Sequence, residues 1–201
     1  IAGDLGDWAA AQEELGKLDV ESASEQASTL RWRLAEVQYG LGHLDAALKA
    51  VDEAIAKAVD VRSHADELQA RLLKVRILAA MKREREARAE LAVVKQGLVR
   101  YASVPLRLRL AETSLLLGGA QATADYREAR ILLARLPAYG HAFMIHQLGA
   151  RAAQASSDSG REAQSLAREA FEALLKQTPE ARYTTLRSWA KSMGYEEAPT
   201  P

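Results

Sequence analysis

Cysteine is absent from this 201-residue chain, and proline, aromatic residues and long apolar runs are scarce. Without a thiol the chain cannot form a disulfide, a thiolate metal site or a cysteine nucleophile. The compartment stays undecided on this ground, and the cytoplasm is favoured. No apolar run approaches the roughly 18 residues that a membrane span needs, so we expect no membrane contact from this sequence.

The two ends of the chain carry little information about targeting. The first residues, Ile1-Ala2-Gly3-Asp4, have neither the basic nor the apolar region of a signal peptide. Because the sequence does not open with Met and enters in the middle of a repeat, we expect it to be a fragment of a longer protein. Residues 195–201 are predicted to form a disordered tail.

An excess of either charge is also missing, since 27 basic side chains balance 27 acidic ones. Such a chain has no overall field that would attract nucleic acid, and we expect no nucleic-acid partner. What the chain does have is 48% hydrophobic and 27% charged residues with only five prolines. This composition is typical of a folded, helix-rich domain with a substantial core.

A repeat with an interval of 38 residues runs along the sequence. An arginine-leucine pair followed by alanine or leucine occurs three times at this interval, and a fourth copy keeps the leucine and a small residue but loses the arginine. These segments are 33–35, 71–73, 109–111 and 147–149. Because one helical hairpin cannot bury its own apolar face, a regular interval of this kind predicts hairpins that stack on each other.

The stretch from Leu30 to Ala58 shows the unit most clearly. Apolar residues recur at helical spacing on both sides of Gly42, which together with His43 predicts two antiparallel helices joined by a short turn. The same reading divides the chain into hairpins near 1–19 (partial), 28–58, 62–101, 104–136 and 139–177, followed by a capping helix over 179–193. The fold class is therefore all-α, with about four to five hairpins in one domain over 1–194.

The small and large positions of the second helices resemble those of tetratricopeptide repeats. Ala167, Phe171, Leu174 and Pro179 have the spacing of that family's pattern. Related sets are Ala47, Val51 and Ala54; Ala87, Leu91 and Val94; and Ala129, Leu133 and Leu136. The interval of 38 is longer than the 34 residues usual in the family. The resemblance implies a right-handed superhelical array of antiparallel hairpins whose first helices line a concave groove.

That resemblance also implies a protein-interaction scaffold or docking module, with a peptide or a helix of a protein partner in the groove. The groove positions are Trp32, Arg33, Glu36, Tyr39, Arg71, Lys74, Arg109 and Glu112. The arginines would form a ladder suited to an acidic segment, because guanidinium groups pair well with carboxylates. Alternatively, Arg33 pairs with Glu36, and Arg109 with Glu112, on a solvated face. Trp32 and Tyr39 fit core packing as well as groove exposure.

Signs of chemistry are few, and we expect neither an enzyme, nor a metal, nor a cofactor. His141 and His146 are five residues apart, which does not aim both at one metal ion, and packing or turn roles fit them better. The carboxylate clamp of the repeats that hold chaperone tails uses asparagines, and this chain contains none. Two alternatives to a scaffold remain open: an assembly element that forms a homodimer through the exposed end at Trp8 and Leu15, and a ligand-sensing domain with a pocket.

Overall fold

The computed structural model describes residues 8–16, 27–99, 101, 103–136, 139–153, 157–192 and 194–195. Every regular element in this part of the chain is helical, which confirms the all-α prediction. The ten α-helices are α1 (Trp8–Gly16), α2 (Ala27–Gly40), α3 (Leu44–Asp60), α4 (His64–Ala80), α5 (Glu84–Val99), α6 (Val104–Leu117), α7 (Ala122–Arg135), α8 (Ala142–Ala152), α9 (Asp158–Gln177) and α10 (Tyr183–Ser192). None of these described helices is both long and apolar enough to cross a membrane.

Contacts divide the chain into two units, residues 1–106 (unit 1) and 107–201 (unit 2). Each unit is described by itself, and a single superhelical array over 1–194 stays a prediction. The helices α2, α4, α6 and α8 begin at residues 27, 64, 104 and 142, at intervals of 37, 40 and 38 residues. Helix and turn therefore alternate with nearly the spacing that the repeat indicated.

Unit 1 owes its regularity to three turns with the same backbone conformation. In each, the middle residue has a positive φ and the next amide donates to the carbonyl five residues earlier, which closes the helix end. The middle residues are Gly42 (φ 80°), Arg62 (φ 55°) and Lys82 (φ 62°). The closing bonds are His43 N to Gln38 O (2.9 Å), Ser63 N to Ala58 O (2.8 Å) and Arg83 N to Leu78 O (2.9 Å).

The core of unit 1 lies between α2, α3 and α4. Trp32 and Ala35 of α2 pack with Val51 of α3 and Ile77 of α4, and these side chains are 4% exposed or less. The two small residues of the α3 pattern, Ala47 and Ala54, are also buried, which lets α3 approach its neighbours closely.

The helices α2 and α4 lie side by side and run in the same direction. Near their first turns, the hydroxyl of Thr29 donates to Asp66 Oδ2 over 3.2 Å. Near their last turns, the guanidinium of Arg76 lies 5.4 Å from the centroid of the Tyr39 ring. The two contacts join the start of α2 to the start of α4 and the end of α2 to the end of α4, as expected for the first helices of stacked hairpins.

Unit 2 is built around an aromatic cluster. Phe143 of α8 lies 5.1 Å from Phe171 of α9, 5.4 Å from Trp189 of α10 and 5.1 Å from Tyr195, measured between ring centroids. Tyr195 begins the predicted disordered tail, but its side chain is only 9% exposed. The tail prediction is therefore wrong at this residue, because its ring fills the cluster; residues 196–201 lie outside the described part of the chain.

The leucines that alternate with arginines over 106–110 lie in α6, in agreement with the all-α prediction, and Leu106 and Leu108 are buried. Before α10, the hydroxyl of Thr178 donates to Leu174 O over 2.8 Å, and a short 3-10 helix, Glu180–Arg182, follows.

Candidate functional site

The predicted groove residues of α2 divide into buried and accessible ones. Trp32 is 4% exposed and belongs to the core of unit 1, which agrees with the core-packing alternative and not with exposure in a groove. Arg33 lies above it, with the guanidinium carbon 4.2 Å from the centroid of the Trp32 ring. The side chain of Arg33 keeps 45% of its surface exposed. A cation over an indole face is favourable, so this contact holds Arg33 against the helix surface.

Arg33 also pairs with Glu36, as the surface-pair alternative predicted. The Arg33 Nη1 to Glu36 Oε2 distance is 3.0 Å, one helical turn along α2. An exposed pair of this kind contributes about 0.5 kcal/mol to stability. Tyr39 is half-buried against the core and contacts Arg76 of α4, so it joins the two helices as well as forming part of the surface between them.

Arg71 and Lys74 belong to an ion-pair network on α4. Arg71 donates from Nε to Glu67 over 2.9 Å and from Nη1 to Glu90 of α5 over 2.6 Å. Lys74 Nζ lies 2.7 Å from Asp52 of α3. Burial lowers the pKa of Arg71, but its bonds to Glu90 and Glu67 outweigh burial, so that the pKa is raised above its usual value. The network links α4 to both neighbouring helices, which is a structural role for these two cations.

The last two predicted groove residues, Arg109 and Glu112, lie in unit 2. Arg109 is half-buried, and Glu112 is only 1% exposed. A carboxylate buried to this extent does not lie on a solvated face or in an open groove. Its Oε2 lies 3.2 Å from Nδ1 of His141, the residue that precedes α8. Arg33 is exposed on α2, Arg71 belongs to an ion-pair network and Arg109 is half-buried in unit 2, and the arginine ladder stays a prediction.

A buried polar pair in unit 2 was not predicted. The hydroxyl of Tyr126 and Nδ1 of His146 form a 2.9 Å hydrogen bond between α7 and α8. Burial, helped by the charge of Arg130, lowers the pKa of His146 to about 4. Burial is also the main reason that the pKa of Tyr126 is raised to about 12. Both side chains are thus neutral near pH 7, which agrees with a packing role for His146.

The close approach of α7 and α8 has a specific cause. Gly149 stands at the small position of the fourth repeat segment, and a Cβ there would lie 2.3 Å from Cδ2 of Tyr126. Only glycine lets the Tyr126 ring lie directly on the α8 backbone. The sequence showed a small residue after Leu148, but it did not show that Tyr126 packs against it.

Metal ligands and similarity to known proteins are two further sources of evidence about function. Among the described residues, no group of three or more histidine, aspartate or glutamate side chains could hold a metal ion. Comparison with family models, with curated proteins and with solved structures gives no match. The likeness to tetratricopeptide repeats therefore stays an interpretation of the residue pattern.

Proposed function

We propose that this chain is a helical-repeat interaction module of the tetratricopeptide type, which binds a peptide or a helix of a protein partner. The binding surface is the α2–α4 face, defined as Thr29, Arg33, Glu36 and Tyr39 of α2 with Asp66 and Arg76 of α4. The parallel arrangement of α2 and α4 supports the proposal most directly. Two parallel helices in contact leave an elongated surface along their seam, which suits an extended segment or a helix.

The chemistry of the α2–α4 face favours a partner with at least one carboxylate. Arg33 is the accessible cation of this face, and it is oriented by the Trp32 ring at 4.2 Å. A guanidinium can bind a partner carboxylate through two parallel hydrogen bonds. Glu36 competes for the same cation, so we expect the partner to contribute apolar contact with Tyr39 as well.

Crosslinking tests where a partner binds. A photoreactive amino acid would replace Thr29, which is exposed on the α2–α4 face and leaves Arg33 in place, and, as a matched control, Val59 at the end of α3, which is 52% exposed. The proposal expects a crosslinked partner peptide, identified by mass spectrometry, at position 29 and not at position 59. Equal crosslinking at the two positions, or none at 29, would contradict it.

The same experiment addresses the assembly alternative. A product of twice the chain mass that contains only peptides of this chain would favour a homodimer over a separate partner. Trp8, part of the end surface in that alternative, packs against Gly40 within unit 1, where a Cβ would lie 2.0 Å from the indole.

Exchanging the charges of Arg33 and Glu36 separates recognition from local pairing. The double variant R33E/E36R keeps two opposite charges one turn apart and the same net charge. If Arg33 recognises a carboxylate, we expect about tenfold weaker binding of the crosslinked partner, since hydrogen bonds to charged groups are worth roughly 1.5–3 kcal/mol. Unchanged affinity would mean that the pair only stabilises α2, as the surface-pair alternative predicts.

A further inference from the structure

A cleft opens in unit 2 between α8, α9 and the turn after α10. Its volume is about 380 Å³, within the range of small-molecule sites. It is lined by Gln147, Ala150 and Arg151 of α8, Gln164 and Arg168 of α9, and Gly194 and Tyr195 after α10. Most of these side chains can donate hydrogen bonds, and none of the seven residues is acidic.

One wall of this cleft is firmly held. Gln147 Nε2 donates to Gly194 O over 2.9 Å, which attaches the final turn to α8. The Tyr195 ring continues the attachment, with its centroid 4.8 Å from that of Phe171 and 5.1 Å from that of Phe143. The end of the described chain is therefore built into the cleft, and a ligand there would meet a preorganised surface.

The opposite side carries two cations with no acidic partner in the described part of the chain. Arg151 and Arg168 are exposed at the cleft, and neither guanidinium group forms an ion pair or a hydrogen bond with any described residue. Other arginines of unit 2 are neutralised locally: Arg130 pairs with Glu162, and Arg161 pairs with Asp158. Two guanidinium groups directed at one cleft repel each other unless an anion lies between them.

We propose that the α8–α9 cleft binds a small dianion, either a dicarboxylate or a phosphate compound, with Arg151 and Arg168 as its cationic ligands. Planar guanidinium groups match both carboxylate and phosphate oxygens, so this chemistry is shared by the two sources. The amide of Gln164 adds a neutral donor at the same cleft. The site lies within unit 2 and does not depend on the partner proposed for the α2–α4 face.

Titration of the whole chain tests the site. Inorganic phosphate, succinate and acetate would be added separately at constant ionic strength, while the Nε–Hε signals of arginine are followed by NMR. We expect saturable shifts of the Arg151 and Arg168 signals with phosphate, with succinate or with both. Phosphate alone would point to a phosphate compound, and succinate alone to a dicarboxylate. Acetate, with one charge, should bind more weakly than the better dianion.

Substitutions of the two arginines test whether the anion binds in the cleft. Arg151→Gln and Arg168→Gln should each weaken binding about tenfold, the loss expected for a hydrogen bond to a charged group. Arg127→Gln on α7 is the matched control, because it removes an exposed charge of unit 2 away from the cleft. Circular dichroism would verify that all three variants keep their helices. Absence of saturable binding, or an equal loss in Arg127→Gln, would overturn the proposal.

Discussion

In unit 1 the helices α2 to α5 are joined by three turns of one conformation, whereas the described residues between the helices of unit 2 show no such repetition. The link after α6 uses two consecutive glycines with positive φ, and before α9 the hydroxyl of the N-cap residue Ser157 accepts from Gly160 N over 3.1 Å. The interiors differ as well. Unit 1 packs small and branched side chains around one indole, while unit 2 packs an aromatic cluster and buries Glu112 and His146.

The difference shows two ways of stabilising the same kind of helical pair. In unit 1 the repeating turn fixes each helix on the previous one, and charged side chains such as Arg71 connect neighbouring helices at the surface. In unit 2 the elements are held together by specific contacts between residues far apart in sequence, such as the hydrogen bond from Gln147 to Gly194. We therefore expect single substitutions to cost more in unit 2, where a few residues make these contacts, than in unit 1.

Truncation of Phe143 should give the largest effect. This side chain is 1% exposed and contacts three other aromatic rings. We expect Phe143→Ala to lower the free energy of unfolding by about 3–5 kcal/mol. The matched variant in unit 1 is Val51→Ala, at a side chain with 0% exposure, for which we expect about 2 kcal/mol.

Urea unfolding measures both free energies, and hydrogen exchange locates the loss. Protection should fall mainly in α8 and α9 for Phe143→Ala and in α2 and α3 for Val51→Ala. If the two substitutions cost the same, the stability of unit 2 is not concentrated in its aromatic cluster.

Acid should weaken unit 2 through His146. In the folded chain the pKa of His146 is about 4, whereas an unfolded histidine has a pKa of about 6.5. The unfolded state therefore binds more protons between these values, and stability falls as the pH decreases from about 6.5 to 4. We expect this residue to account for about 2–3 kcal/mol of the loss, with its full contribution to stability present above pH 6.5.

Because carboxylates titrate in the same range, the comparison with His146→Gln is the useful one. Glutamine can still accept a hydrogen bond from Tyr126 but cannot become charged, so this variant should lose less stability between pH 7 and pH 4.5. His64→Gln removes an imidazole whose side chain is 79% exposed on α4, and it should behave like the original chain. If the free energy of unfolding fell equally with pH in all three proteins, protonation of His146 would not be the cause of the loss.

Much of the fold could be predicted from the sequence because it depends on the spacing of residues that lie close together in the chain. The small positions Ala47, Ala87, Ala129 and Ala167 were identified by their spacing, and each is 0% exposed. Alanine recurs there because helices cross closely, which is a property of each helix and its nearest neighbour. The Arg33–Glu36 pair could be predicted for the same reason, because the two residues are one helical turn apart.

Other features could not be predicted because they depend on distant partners. Nothing in the helical spacing of Glu112 indicates that it is buried beside His141, or that Tyr126 meets His146. The cleft in unit 2 needs Gly194 and Tyr195 to fold back onto α8, whereas the sequence indicated a disordered tail from residue 195. The sequence did not indicate that the turns at Arg62 and Lys82 have the same conformation as the turn at Gly42, because they lack glycine.

Those two turns give the smallest of the three effects and the sharpest test of the regularity of unit 1. Arg62 and Lys82 are exposed and have φ of 55° and 62°, a conformation that costs a residue with a side chain roughly 1–2 kcal/mol. Glycine removes that cost but loses more entropy on folding. We therefore expect Arg62→Gly and Lys82→Gly each to stabilise the chain by about 0.5–1 kcal/mol, measured by urea unfolding.

The reverse substitution completes the comparison. A Cβ on Gly42 would meet nothing within 4 Å, so Gly42→Ala should destabilise by about 1 kcal/mol through backbone strain alone. Because all three turns share one conformation, the gains at 62 and 82 and the loss at 42 should be similar in size and should add in combined variants. Destabilisation by both glycines would mean that the long side chains of Arg62 and Lys82 contribute more than their backbone strain costs, and the three turns would then not be equivalent.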